Sequence, residues 1–311
     1  MFLPPEAFGS ASADLGEDEI GMELSSASAW DVATRYHEFR GRVSASRARE
    51  LRRISAAVIL ERAQSVLGSI VRPIDLKVAP WSDIPGDAEQ SDIDLDETIE
   101  NSALGVASIL DSKLGDFPLT AHDVWVSYQS HRKQSMVLSV DTSLSMTGEK
   151  LALTAVALAV VLLQFPEDPI GIIAFENEAK IVKRPDERIT LQQMIERFLD
   201  VPAQGYTHLE DGMKAALKMV RSDALRRQAK PPSTLLLTDG KYTAGRDPAY
   251  LATRFPHLVV LKMGHERASL ELCRELAKKG RGMLQEVPDL EVLPSVMYGV
   301  VKDLLRGRSL S

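Results

Sequence analysis

The chain is 311 residues long, 44% hydrophobic and 26% charged, with a net charge of −7 and a pI near 5.5. An acidic chain excludes general nucleic-acid binding, which needs a basic footprint. One cysteine, Cys273, excludes an internal disulfide and a cysteine-built zinc site, and it fits a reducing, cytoplasmic compartment.

Residues 1–28 are acidic and rich in small side chains, and are expected to be disordered. They carry no Lys or Arg and no long apolar run, so they do not read as a secretory leader. Residues 30–68 read as helix, with Leu51, Ile54, Val58 and Val66 near helical spacing. Seven arginines stand between Arg35 and Arg53. A solvated helix face is the first expectation for them, and a docking face for an acidic partner the second. Pro80, Pro85 and Gly86 interrupt the pattern. From Asp83 to Glu100 there are eight acidic residues and no basic ones. Asp92, Asp94 and Asp96 resemble the start of a calcium loop but lack its glycine and closing glutamate. They read instead as caps for the helix expected in LDETIENSALGVASIL. Residues 29–120 are thus expected to form a helical extension with an acidic segment.

The pattern changes near residue 120. DVWVSY, SMVLSVD, PIGIIAF, STLLLTD and HLVVLKMG are short apolar runs, and AKIVKR is a weaker one suited to a sheet edge. Helix-length segments lie at Lys150–Phe165, Leu191–Leu199, Leu209–Arg227, Ser269–Lys279 and Leu290–Leu305. Leu151 to Phe165 is the most apolar stretch; at 15 residues it is short for a membrane span and reads as a buried helix. Apolar strands alternating with helices predict an α/β domain with a doubly wound, mostly parallel sheet. Ligands in such sheets sit beyond the carboxyl ends of the strands, where Asp141 and Asp239 fall.

Three pieces share that rim. The first is Asp141-Thr142-Ser143-Leu144-Ser145, the second is GYTHLEDGM with Thr207 leading into a helix, and the third is LLLTDG with Asp239 at a strand end. Two carboxylates and three hydroxyls make an all-oxygen donor set, which suits a hard divalent cation such as Mg²⁺. With so few anionic donors, a bound cation keeps residual positive charge and attracts an outside carboxylate.

These residues resemble the metal-ion-dependent adhesion site of von Willebrand factor A domains, over roughly residues 130–308. The resemblance implies that Asp141, Ser143, Ser145, Thr207 and Asp239 hold Mg²⁺ or Mn²⁺ in a Rossmann-like fold. Leu144 and Tyr206 stand where many members have glycine, which narrows the mouth of the site. Upstream, SDIDLDETIENSALG and the run from Leu119 to Met146 are similar to bacterial intracellular members of the group, related to the D subunit of magnesium chelatase. That second resemblance implies a non-catalytic adaptor whose partner is a MoxR-type AAA+ ATPase or its client.

Other chemistries fit these residues less well. A haloacid-dehalogenase-type phosphatase needs a second Asp where Ser143 stands. The serines lack a G-x-S-x-G elbow, and there is no G-x-x-x-x-G-K-[ST] phosphate loop. His208 beside Thr207 is expected to pack or face solvent. The alternatives are a metal-dependent, phosphoesterase-like hydrolase using the same residues, and a structural domain whose Asp141 and Asp239 only cap turns.

Overall fold

The computed structural model describes residues 27–69, 77–84, 88–101, 120–130, 135–203, 205–226, 231–267 and 269–306. The disorder expected for 1–28 and the helix expected beyond Asn101 fall almost wholly outside these ranges. The chain divides into two units, one of residues 1–69 with 134–311 and the other of residues 70–133.

The first unit begins with helices α1 (Ala29–Thr34), α2 (Tyr36–Phe39) and α3 (Ala45–Ser69). Ser28 and Asp31 form a capping box on α1: the Ser28 hydroxyl accepts from Asp31 N, and the Asp31 carboxylate accepts from Ser28 N. A single helix over 30–68 is not what forms. Gly41 weakens the helix, and Ser44 restarts it, its Oγ accepting from Arg47 N at 3.4 Å. The buried stripe of α3 is also rotated from the one expected: Leu51, Ser55, Ala56, Ile59, Ala63 and Leu67 face inward, while Ile54 is 38% exposed. The stripe's small residues let α3 lie close to its neighbours, so packing rather than side-chain hydrophobicity selects the face.

In the second unit, β1 (Lys77–Pro80), β2 (Ala88–Ile93) and β3 (Trp125–Ser130) form an antiparallel sheet in the order β1-β3-β2. DVWVSY is therefore a strand, but the middle of this small sheet and not part of the large one. Helix α4 (Leu95–Asn101) is capped as expected, with Asp94 Oδ1 accepting from Glu97 N at 3.2 Å. Thr98 ties it to β3 by accepting from Trp125 N (2.9 Å) and donating to Trp125 O (3.1 Å).

The rest of the first unit is a six-stranded sheet. Its strands are β4 (Met136–Asp141), β5 (Ile170–Phe175), β6 (Ala179–Lys183), β7 (Ser233–Thr238), β8 (His257–Met263) and β9 (Leu284–Val287), in the order β6-β5-β4-β7-β8-β9. All pair in parallel except β6, which runs antiparallel to β5 at the edge. The helices are α5 (Glu149–Gln164), α6 (Leu191–Leu199), α7 (Leu209–Val220), α8 (Asp223–Arg226), α9 (Ala249–Ala252), α10 (Leu270–Lys279) and α11 (Leu293–Arg306). The continuous helix expected over 209–227 breaks at Arg221–Ser222 into α7 and α8.

The winding explains the two layers. From β4 the chain steps to β5 on one side, whereas from β7 it steps to β8 and β9 on the other. Right-handed crossovers then put α5 on one face and α9 and α10 on the opposite face. One core, on the α7, α9 and α10 face, gathers Val137, Ile173, Phe175, Leu236 and Val260 with Met213 and Leu276. Alternate strand residues such as Leu138, Ile172 and Leu237 are equally buried and point the other way. Helix α5 is buried from Leu151 to Val161 and packs against α3, α6 and α11. That accounts for its apolar surface all round. Among the described residues no helix is long and apolar enough to cross a membrane.

The direction of winding reverses between β4 and β7. Their carboxyl ends, carrying Asp141 and Asp239, flank the crevice at that switch point, where doubly wound sheets bind ligands.

Candidate metal-binding site

Asp141 ends β4 and has no exposed surface. Its neighbour across the sheet follows from the register: Val140 pairs with Leu237, which sets Asp141 beside Thr238. Thr238 Oγ1 donates to Asp141 Oδ2 at 2.8 Å, and Ser143 N donates to Oδ1 at 2.9 Å. Burial raises the carboxyl to about 6; the hydrogen bonds from Ser143 and Thr238 oppose this, and the Asp239 charge adds to it. An ionised carboxylate offers about four acceptor sites, more than these two residues use.

After Asp141 the chain enters a short 3-10 turn, Leu144–Met146, pinned by the buried Met146. This turn sets the Ser143 and Ser145 hydroxyls 3.2 Å apart. Lys150 at the start of α5 donates to Ser145 O at 3.0 Å and holds the turn from behind.

Thr207 lies in the loop before α7 and is 4% exposed. Its backbone is gripped on both sides by the loop after β7. Thr207 N donates to Thr243 Oγ1 at 3.0 Å, and Thr207 O accepts from Thr243 N and Ala244 N at 3.1 and 3.3 Å. Its own loop is fastened by Glu176 and Asn177, just past β5. Glu176 Oε2 accepts from Gly205 N and Asn177 Oδ1 from Tyr206 N, each at 2.8 Å. His208 does structural work there: Nδ1–H donates to Asn177 O at 3.0 Å. The Asp141 loop joins the same assembly through Leu144 N, which donates to Gly205 O at 3.3 Å.

Asp239 follows β7 and is 5% exposed. Its Oδ1 accepts from Lys241 N at 3.1 Å, and its carbonyl accepts from Ser269 Oγ at 2.5 Å. Gly240 has φ +79°, and a Cβ there would meet Cys273 Sγ and Ser269. Only glycine combines that backbone with so close an approach.

The three sequence pieces are thus tied by hydrogen bonds into one rim. Asp141, Ser143 and Ser145 share the first loop, Thr207 stands in the second, and Asp239 begins the third. The rim's hydroxyls, carboxylates and carbonyls are all hard oxygen donors, which fits a small divalent cation rather than a soft one. Among the described residues no group of three or more His, Cys, Asp or Glu side chains forms a metal cluster. A cation here would therefore depend on the serine and threonine hydroxyls and on water. Sequence reasoning missed the supporting set of Thr238, Glu176, Thr243 and Ser269. Thr238 had a signal, being polar at the end of an apolar strand. The others lie some 30 residues or more from the residues they serve and had none. The loops also expose Leu144 (62%), Tyr206 (70%) and Tyr242 (39%).

The class of protein defined here is a doubly wound α/β domain with an oxygen-lined rim at its switch point. Residues 136–241 match the von Willebrand factor type A domain family, and the sheet has that domain's fold. Among solved structures the chain is similar to proximal thread matrix protein 1 of the mussel byssus with a zinc-occupied metal-ion-dependent adhesion site. Identity is 20% and the TM-score 0.46, over 56% of this chain and 48% of that one. It is also similar to a von Willebrand factor type A protein from Catenulispora acidiphila (16%, TM-score 0.47, 58% and 44% covered). A third is an aerotolerance-related membrane protein from Bacteroides fragilis (16%, TM-score 0.43, 55% and 99% covered). The chain spans about half the length of the byssus protein. No curated protein matches it.

Proposed function

We propose that the rim binds a divalent cation, Mg²⁺ or Mn²⁺, through Asp141, Ser143, Ser145, Thr207 and Asp239, and serves as a non-catalytic docking point for an acidic residue of a partner protein. The observation that carries this reading is Asp141. It is a fully buried carboxylate at the switch point, beside paired serine hydroxyls and a second carboxylate. When bound, the cation would supply positive charge and an open coordination position. The chain's part is to hold the five side chains rigidly and to shape the approach. Leu144 and Tyr206 are exposed on the loops that carry the donors, so an incoming acidic side chain flanked by apolar residues would suit them.

The partner we propose is a MoxR- or chelatase-type AAA+ ATPase, or that machine's client, with the present chain acting as adaptor or co-chaperone in the cytoplasm. Support for this comes from the sequence upstream of β4.

The test is capture from lysate with Mg²⁺, with EDTA, and with Ser143→Ala plus Ser145→Ala. An ATPase is expected only in the first. Equal recovery in all three would remove the rim as docking point. Turnover of a phosphoester that requires Mg²⁺ and Asp141 would favour the hydrolase alternative.

A further inference from the structure

A second feature, sharing no residue with the rim, lies where the arginine-rich segment meets the end of α6. A pocket of about 540 Å³ is lined by Tyr36, Arg40, Val43, Arg49, Arg52 and Asp200, among others. The three guanidinium groups are not equivalent. Arg52 is neutralised: it pairs with Asp200, and its Nε lies 4.0 Å from Glu196. Arg40 and Arg49 are held by backbone carbonyls instead. Arg40 Nη1 donates to Leu199 O at 3.0 Å and Val201 O at 3.2 Å, and Arg49 Nε donates to Ala45 O at 3.2 Å. Neutral carbonyls fix a guanidinium without cancelling its charge, so two positioned cations face one pocket with unspent donors.

We propose that this pocket binds an acidic peptide segment of a partner protein, a carboxylate bridging Arg40 and Arg49 while an adjacent apolar side chain rests on Val43 and Ala48. Three observations favour a peptide carboxylate over a small oxyanion. The volume is in the range of pockets that hold a ligand of many atoms. The Asp200 carboxylate on the wall repels a dianion more than a monoanion. Exposed Arg42 and Arg47 continue the positive surface past the pocket along the same segment, although Glu38 and Glu50 partly offset them. Because the carbonyls already hold two of the side chains, little ordering is left for the ligand to impose. The site is independent of the metal rim and does not rest on the function proposed for it.

The probe is a fluorescent peptide of roughly eight residues alternating glutamate and leucine, titrated by anisotropy at low salt, where exposed charges are least screened. Binding to the full chain is expected to be unchanged by EDTA and absent for the glutamine–leucine counterpart. Arg49→Glu is expected to weaken it about tenfold; this side chain is exposed and, among the described residues, bonds only within its own helix, so the fold is retained. Asp200→Asn frees Arg52 and removes the repelling carboxylate. It is expected to tighten binding severalfold, a gain that a misfolded variant cannot produce. Affinity unchanged in both variants would overturn the proposal. So would saturation by inorganic phosphate with no peptide binding, which would mark a small-oxyanion site.

Discussion

Asp141 is fully buried, and although Ser143 and Thr238 donate to it, burial holds its carboxyl high at about 6. A carboxylate in that state is costly to the fold unless something else neutralises it. Thr238 carries much of the burden. It donates to Asp141 and accepts from Gly240 N at 3.0 Å, so it steadies both ends of the rim at once. Thr238→Val keeps shape and loses both bonds. Leaving a buried carboxylate oxygen and a buried N–H unpaired should cost about 2 kcal/mol, read as a lower urea midpoint with unchanged m-value. A midpoint equal to that of the parent would mean that solvent reaches Asp141.

At the scale of elements, α2 is joined to the segment just after α6 through a buried imidazole. His37 Nε2–H donates to Val201 O at 3.0 Å, and the side chain is 8% exposed. Burial lowers its pKa to about 4, with the Arg40 charge acting in the same direction and the bond to Val201 opposing. The folded value lies below the unfolded one, near 6.5, so the unfolded chain binds the proton more tightly. Stability from this group is complete above pH 6.5 and is lost as pH falls toward 4. At pH 5 the expected loss is about 2 kcal/mol relative to pH 7. Urea unfolding across that range should show the loss in the parent and a flatter profile in His37→Gln, whose amide still donates to Val201. Parallel profiles would mean that the imidazole is not the titrating group.

At the scale of the molecule, a cation that binds the folded rim and not the unfolded chain stabilises the whole first unit by linkage. A concentration of Mn²⁺ or Mg²⁺ 100-fold above the dissociation constant should add about 2.7 kcal/mol, reversed by EDTA. Calorimetry and thermal unfolding should show this for the parent and neither binding nor stabilisation for Asp141→Ala. Stabilisation that survives in Asp141→Ala would place the cation elsewhere. The effect should be felt far from the rim, because α5 begins beside the Ser143–Ser145 turn and packs against α3 and α11.

Much of this architecture is legible in the chain by itself. The runs SMVLSVD, PIGIIAF, STLLLTD and HLVVLKMG are apolar throughout because both faces of a parallel strand are covered, and each became a strand of the large sheet. Asp141 and Asp239 could be put at strand ends because each breaks such a run. The sequence did not reveal that DVWVSY belongs to a separate sheet, since a strand carries no mark of which partner it will pair with. Nor did it reveal that Ser55, Ile59 and Ala63, rather than Ile54 and Val58, join Leu51 in the inward stripe of α3. Close approach of two helices rewards small side chains that a hydrophobicity pattern passes over. The ties among the rim loops, Leu144 to Gly205, Thr207 to Thr243 and Thr238 to Asp141, join residues 36 to 97 positions apart, apart from the sequence-neighbouring bonds within each turn. Spacing along the chain encodes local periodicity and turn chemistry. Which distant hydroxyl meets a buried carboxylate is decided only when the sheet order brings β4 and β7 side by side.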